Sequence, residues 1–342
     1  MQVVENTLYV QSEPSYLRLD HDTVVIEQEE AKNRSLPLLA FGSIVLFGNV
    51  MISPAMIGRC CEDGRTITFL DRNGRFKARV EGPISGNVLL RRAQYEILNN
   101  PEALVRLARS FVAGKLQNAR SSLLRSAREA EPVDETVLRG AAARVESAIK
   151  SLPKCGDLDE IRGIEGDAAR TCFQVFKHQV RANRDEFGIT ARSRRPPLDR
   201  MNAILSFLYT MLAHDCRSAL EGVGLDPQVG FLHALRPGRP ALALDLMEEL
   251  RPVLGDRMAL TLVNRKQLVP EDFVIRSGGA VQFSDDARKK LIVAYAERKR
   301  QEVSHPLSKS KVTLAMVPHL QARLLARVIR GDLDAYVPYL NK

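Results

Sequence analysis

The chain has no tryptophan, only 6% aromatic residues and five cysteines in 342 positions. Few aromatics argue against a protein that reads unpaired bases mainly by stacking, and leave contacts to the phosphate backbone as the better means of meeting nucleic acid. The cysteines, Cys60, Cys61, Cys155, Cys172 and Cys216, are odd in number and contain no C-x-x-C pair. That argues against a zinc ribbon or a dithiol redox motif and is expected of reduced thiols in a cytoplasmic protein. The opening "MQVVENTLYV" lacks a basic stretch followed by an apolar core, so no signal peptide is expected. Neither an internal repeat nor a low-complexity tract is present.

What is present is an ordinary globular composition with an excess of positive charge. Apolar residues make up 45%, charged residues 27%, and the mean hydropathy is −0.16. The net charge is +9 and the isoelectric point about 9.4, which favours polyanionic partners. The length allows two cores. One stretch without charge, "LPLLAFGSIVLFGNVMISPAMIG" (36–58), is long enough to span a bilayer. Gly42, Gly48, Asn49, Ser53 and Pro54 interrupt it. It therefore reads as a buried strand, a turn at Gly48-Asn49, and a helix capped by Ser53 with Pro54 at its first position, not as a membrane span.

Strand signals dominate the first part. "NTLYV" and "SYLRLDHDTVVIEQ" alternate apolar and polar residues, with His21-Asp22 at a hairpin tip, and "SIVLFG" reads as a central strand. "TITFLDRNGRFKARVEG" is a hairpin turning at Asn73-Gly74, and the β-rich part ends near Pro83. From "NVLLRRAQYEILNN" onward the period is helical, broken at Asn100-Pro101. Amphipathic helices follow over 102–127, 134–152 and 159–180. A loop, "ARSRRPP", and an apolar helix over 201–220 come next. "FVIRSGGAVQF" is a small hairpin, and Ser284 caps a long helix. The expected fold is α+β: a sandwich-like β domain over residues 1–85 and a larger all-α domain over 86–342.

Two helices carry acids in telling positions. In "IRGIEGDAARTCFQVF", Ile161, Ile164, Ala168, Cys172, Val175 and Phe176 fall within an arc of about 120°, and Glu165 lies inside it. A carboxylate on a core-facing stripe needs a cation or strong donors. It is either a functional group flanked by Gly163 and Gly166, which permit close approach, or a structural acid paired with Arg162 or Arg170. In "VGFLHALRPGRPALALDLMEELRP", Asp245, Glu248 and Glu249 share one sector at roughly 240–340°. That sector is either a solvated face or an acid cluster. Against the first stand the lack of i+4 lysines and the preceding loop with Arg236 and Arg239. His233 closes the apolar run before that loop. His214, which follows an apolar stripe with no Gly or Arg around it, ranks below it. Carboxylates with an imidazole suit Mg²⁺ or Mn²⁺ with positions open to phosphate better than zinc. Such an ion polarises a phosphoryl oxygen, while arginines hold phosphate charge.

"SIVLFGNVMISPAMI", "RAQYEIL", "GIEGDAAR", "LDRMNAILSFLYTML", "GLDPQVGFLHALRPGRPALALDLMEELRP" and "FVIRSGGAV", in this order, resemble the family of CRISPR-associated protein one, the spacer-acquisition integrase, over essentially the whole chain. The resemblance implies the same β-then-helical architecture. It also implies a metal site of Glu165, His233 and Glu248, with Asp245 as a supporting acid; the wheel alone leaves Asp245, Glu248 and Glu249 equivalent. Cys172 departs from the family, where an aromatic residue is common. The implied protein is a homodimer, formed through the β domain, that works with CRISPR-associated protein two on double-stranded DNA. It joins a protospacer to the CRISPR repeat by attack of a 3′-hydroxyl, without a covalent enzyme intermediate.

Basic residues outside the acids suit a DNA path: Arg192, Arg194 and Arg195 in a loop, Lys289 and Lys290 at a helix start, and Arg298, Lys299 and Arg300 at its end. With Arg236 and Arg239 they form the expected DNA-binding set. Two other functions remain open: a nuclease that only hydrolyses DNA, and a non-catalytic DNA scaffold whose acids balance arginines.

Overall fold

The computed structural model describes residues 6–11, 14–28, 31–72, 74, 76–80, 82, 88–189, 191–306 and 311–341. The chain falls into two compact units, Met1–Asn87 and Val88–Lys342. The described residues of the first form β1 (Asn6–Val10), β2 (Ser15–Asp20), β3 (Thr23–Gln28), β4 (Ala31–Pro37), β5 (Phe41–Phe47), β6 (Val50–Ile52), α1 (Pro54–Glu62), β7 (Thr66–Leu70) and β8 (Phe76–Val80), with a 3-10 turn at Leu38–Ala40. They form two four-stranded sheets, ordered β1-β5-β7-β8 and β4-β3-β2-β6. β5 is central in the first, parallel to both neighbours, and its residues Ile44–Phe47 are buried. That is why it reads as an unbroken apolar run.

At the end of β5, Gly48 takes a φ of 71° and carries the chain into β6 of the other sheet. Ser53 then caps α1, its hydroxyl accepting from Met56 N at 3.2 Å, with Pro54 first in the helix. The β2–β3 hairpin turns at His21, which adopts φ 53°. Leu8, Ile44 and Ile67 of one sheet and Leu17, Val24 and Ile26 of the other share a single buried cluster, joined by Met56 of α1. β4 and β6 lie outside the strands expected from alternation. Asn73, half of the expected Asn-Gly turn, and Pro83 lie outside the described residues.

The second unit is mainly helical: α2 (Val88–Ile97), α3 (Pro101–Arg128), α4 (Pro132–Ser151), α5 (Leu158–Gln174), α6 (Arg184–Phe187), α7 (Arg200–Gly222), α8 (Ala241–Glu248) and α9 (Arg257–Asn264). They are followed by the hairpin β9 (Phe273–Ile275) and β10 (Val281–Phe283), α10 (Asp285–Arg300), the pair β11 (Glu302–Ser304) and β12 (Lys311–Thr313), and α11 (Val317–Ile329). Side-chain caps from Asn100, Asp157, Asp199 and Ser284 set the starts of α3, α5, α7 and α10. The helix expected over 159–180 ends at Gln174 and continues as a tighter turn over Phe176–Gln179. α8 likewise stops at Glu248, and a π-helical turn over Arg251–Asp256 leads into α9. No described helix is long and apolar enough to cross a membrane. α3 packs on α4, α5 and α8, and α7 packs on α8 and α11. The acid-bearing faces of α5 and α8 are thereby set against α3.

Candidate active site

Gly230 opens the site. A methyl at that position would stand 2.6 Å from the Ala241 carbonyl carbon and 2.7 Å from Asp245 Oδ2, so only glycine lets the loop lie against α8. The three residues after it turn their amides onto Asp245. Its Oδ2 accepts from Phe231 N at 2.6 Å and Leu232 N at 3.0 Å; its Oδ1 accepts from His233 N at 2.9 Å and from His233 Nδ1 at 2.7 Å. Four bonds fill the carboxylate. An acceptor at Nδ1 places the ring proton there and leaves Nε2 as a lone pair, aimed toward Glu248 Oε1 at 3.7 Å. Asp245, expected among the metal ligands, instead stands behind the imidazole and fixes its tautomer. Its own bonds to the loop are the reason.

Glu248 and Glu165 meet on the other side of that imidazole. Lys115 of α3 sends its ammonium between them, pairing with Glu165 Oε1 and lying 2.6 Å from Glu248 Oε2. This buried oxygen has the ammonium as its close charge contact and no other partner. Arg251, one turn beyond Glu248, adds Nη1 at 3.2 Å from Oε1. Burial by itself would raise the Glu248 carboxyl. The charges of Arg251 and Lys115 outweigh it and bring it down to about 2. The same two carboxylates keep Lys115 above the usual ammonium range despite its burial.

The two acids of α8 and Glu249, which follows it, are all buried, Asp245 and Glu249 completely and Glu248 to 2% exposure. A solvated acidic face is therefore overturned. α8 is enclosed on every side by α3, α7 and α11, so its polar sector faces the site and a second interior instead of water. The structure also separates the acids the helical wheel leaves equivalent. Glu249 points away, accepting from Gln321 Nε2 at 3.0 Å, Tyr336 OH at 2.8 Å and Tyr339 N at 2.8 Å. Burial raises it to about 7 against those bonds. Glu165 is a quarter exposed, and its partner is neither of the expected arginines. Arg162 pairs with Asp159 and donates to Leu232 O, and Arg170 pairs with Asp167. Beside Glu165, a methyl on Gly163 or Gly166 would meet open space.

Lys115 and Arg251 escaped the sequence reading. Lys115 sits one turn from buried Phe111, a charged residue on an apolar stripe, which is the same signal that singled out Glu165. Arg251 leads to a further layer. Its guanidinium carbon lies 5.1 Å from the centre of the Tyr209 ring, and Arg192 covers the same ring at 5.3 Å. The Tyr209 hydroxyl donates to Asp256. Arg192, expected on the DNA path, is held in this column and by Asn202 and Ser206 instead. Lys299 is likewise buried on Asp215 at 2.7 Å. Lys290 pairs with Asp272 at 2.9 Å, and Arg298 with Gln301. Arg236 and Lys289 are exposed and Arg239 is partly so, without an ion-pair partner among the described residues. All five cysteines are free. Cys172, near Lys115, is pushed by burial to about 12, which makes it a poor nucleophile.

The acids of α5 and α8 thus converge on one cationic position filled by the Lys115 ammonium, and the imidazole of the Gly230–His233 loop stands beside Glu248. Among the described residues, no three His, Cys, Asp or Glu side chains are drawn tightly enough to cage a metal ion as they stand. The donor set nevertheless fits one. Two carboxylate oxygens face the position, an imidazole nitrogen stands 3.7 Å from the other oxygen of Glu248, and the buried Glu248 Oε2 has no partner but the ammonium.

A profile of the family described as CRISPR associated protein Cas1 matches residues 8–297. The CRISPR-associated endonuclease Cas1 1 of Moorella thermoacetica is 54% identical over 343 residues, covering all of both chains. Among solved structures, a chain of a Cas6-RT-Cas1–Cas2 complex superposes with a TM-score of 0.84 at 20% identity, over 100% of this chain and 37% of that one. A casposase bound to integration product superposes with a TM-score of 0.81 at 20% identity, over 97% of this chain and 93% of that one.

Proposed function

The chain belongs to the Cas1 family of CRISPR-associated proteins, and from that membership and its buried acid–imidazole cluster we propose that it is a metal-dependent DNA endonuclease and integrase. It inserts short protospacer DNA into a CRISPR array. The observation that carries this reading is the pairing of Glu165 and Glu248 on one ammonium, with His233 Nε2 3.7 Å from Oε1 of the same Glu248. Those three would hold Mg²⁺ or Mn²⁺, which polarises a phosphoryl oxygen and stabilises the charge that develops on it. Asp245 keeps the imidazole in the tautomer that offers Nε2. Lys115 and Arg251 keep Glu248 ionised at any physiological pH.

The chemistry is a one-for-one exchange. The 3′-oxygen of the protospacer bonds to phosphorus in the repeat, the bond from that phosphorus to its former 3′-oxygen breaks, and the released oxygen takes up a proton. Arg236 and Arg239, on the loop between His233 and α8, would grip the flanking phosphates; their exposure supports this. A casposase captured on its integration product has this fold, which supports joining over simple hydrolysis. A Cas1–Cas2 complex with this fold supports Cas2 as the partner. The exposed apolar side chains Leu39, Met51 and Phe76 of the first unit are candidates for a homodimer contact.

The test is strand transfer with a supercoiled repeat-bearing plasmid, a short duplex, Cas2 and Mn²⁺. The wild type yields joined products, and Glu165→Gln, His233→Ala and Glu248→Gln each reduce them to background. One observation favours a rival, the non-catalytic scaffold: Lys115 already balances both carboxylates. DNA binding by the wild type without joining or cleavage would establish that rival, and unchanged joining in all three variants would overturn the site.

A further inference from the structure

Three walls leave the active site together. α3 runs from Lys115 to Ser122 and Arg125, the π turn and α9 run from Arg251 to Arg257 and Arg265, and α5 with its tight turn runs from Glu165 to Arg181. Ser122 is seven residues beyond Lys115, hence on the same side of α3 and about 10 Å along it. Where the walls reach the surface they enclose a pocket of about 110 Å³. Arg125, Arg181, Arg257 and Arg265 line it, and Glu129 is its sole carboxylate. Glu129 is taken by Arg181 at 2.8 Å and Arg125 at 3.8 Å. Arg257 and Arg265 have no carboxylate partner among the described residues. Arg298 of α10 lies close enough to Arg125 for the two charges to interact. Several guanidinium groups gathered on one hollow repel one another unless an anion joins them.

We infer that this pocket is a phosphate subsite, holding a backbone phosphate of the nucleic-acid strand a short distance from the phosphate that reacts at Glu165 and Glu248. A guanidinium fork matches phosphate oxygens in bidentate fashion, and Ser122 adds a hydroxyl on the pocket wall. The subsite gives the strand a second anchor, so that the reacting phosphodiester is positioned by two points instead of one. It carries no sequence information, as suits a protein that takes protospacers of varied sequence. The inference rests on the DNA-joining reading for its ligand, though not for the charge pattern that forms the pocket.

The experiment measures anisotropy of a labelled single-stranded oligonucleotide across a salt series, in a Glu165→Gln background so that no turnover intervenes. Replacing Arg257 and Arg265 with Gln is expected to weaken binding about tenfold and lower the log–log salt slope by about 0.7, the slope that one neutralised phosphate carries on a single strand. Their replacement by Lys restores most of the slope, which separates the effect of charge from that of misfolding. The double variant Arg139→Gln/Arg144→Gln, on α4, removes equal charge elsewhere and leaves the slope unchanged. Equal effects from the two Gln pairs, or none from the first, overturn the subsite while leaving strand transfer untouched. If the unsubstituted background binds no DNA, the DNA reading falls with it. A third result also overturns the backbone assignment: inorganic phosphate raising the melting temperature only when Arg257 and Arg265 are intact, with the DNA slope unmoved. The pocket would then serve a free anion.

Discussion

At the scale of single residues, Lys115 is where the physics is most exposed. Its ammonium neutralises two carboxylates, one of them 2% exposed, in a region where an unpaired charge is costly. Lys115→Met should therefore destabilise the protein by about 3 kcal/mol, read from urea unfolding without metal. Mn²⁺ should recover part of that loss, and should recover nothing when Glu165→Gln is added. Asp245→Asn makes a complementary case. The amide keeps the shape but turns an NH₂ toward amides that need an acceptor, and it frees the imidazole tautomer. Metal affinity should fall by about 10–100-fold, measured by Mn²⁺ titration, with the nitrogen shifts of His233 reporting the altered ring. Glu165 was legible in advance because an acid on an apolar stripe is a local anomaly. Lys115 carries the same anomaly on α3, yet its meaning requires Glu165, 50 positions away. The choice of Glu248 over Glu249 came from the family resemblance; the structure gives the geometric reason, since the two adjacent side chains leave α8 toward different neighbours.

At the scale of elements, two glycines make opposite cases. Gly230→Ala forces a methyl into the backbone of α8 and the Asp245 carboxylate, and should cost about 2–3 kcal/mol. Gly166 lies within α5 with open space beside it, so Gly166→Ala should stabilise by about 0.5–1 kcal/mol. Its joining activity should fall all the same, because the methyl stands at the opening beside Glu165. Thermal melting and strand transfer on the same preparations separate the two effects. Element type was read correctly where burial is one-sided, as in the β2–β3 hairpin or α3. It was missed where that condition fails. β4, "AKNRSLP", is an edge strand paired on one side only and has no apolar alternation to read. α8 was read as a helix, and only the surroundings of its acidic sector stayed open, since helices enclose that sector as closely as its apolar one.

At the scale of the whole molecule, charge and pH are the levers. Glu249 lies at about 7 in the folded protein against an ordinary 4.5. Between those values the unfolded chain is ionised there and the folded chain holds the proton. Stability therefore falls as pH rises through that window, by up to about 1.4 kcal/mol per pH unit. Glu249→Gln should abolish that slope in melting curves taken at pH 5, 6 and 7. Order along the chain, period, caps such as Ser53 and Ser284, and the glycine at the end of β5 depend on neighbours within a few residues. The amino-acid sequence settled these alone, and with them a β unit followed by a helical one. Family resemblance nominated the three site residues. Only the tertiary structure decided that Glu165 and Glu248 share the Lys115 ammonium, that Asp245 bonds His233 Nδ1, and that Arg192 and Lys299 serve the interior. Burial and Coulomb energy depend on distances between side chains remote along the chain, and those distances exist only once the helices are packed.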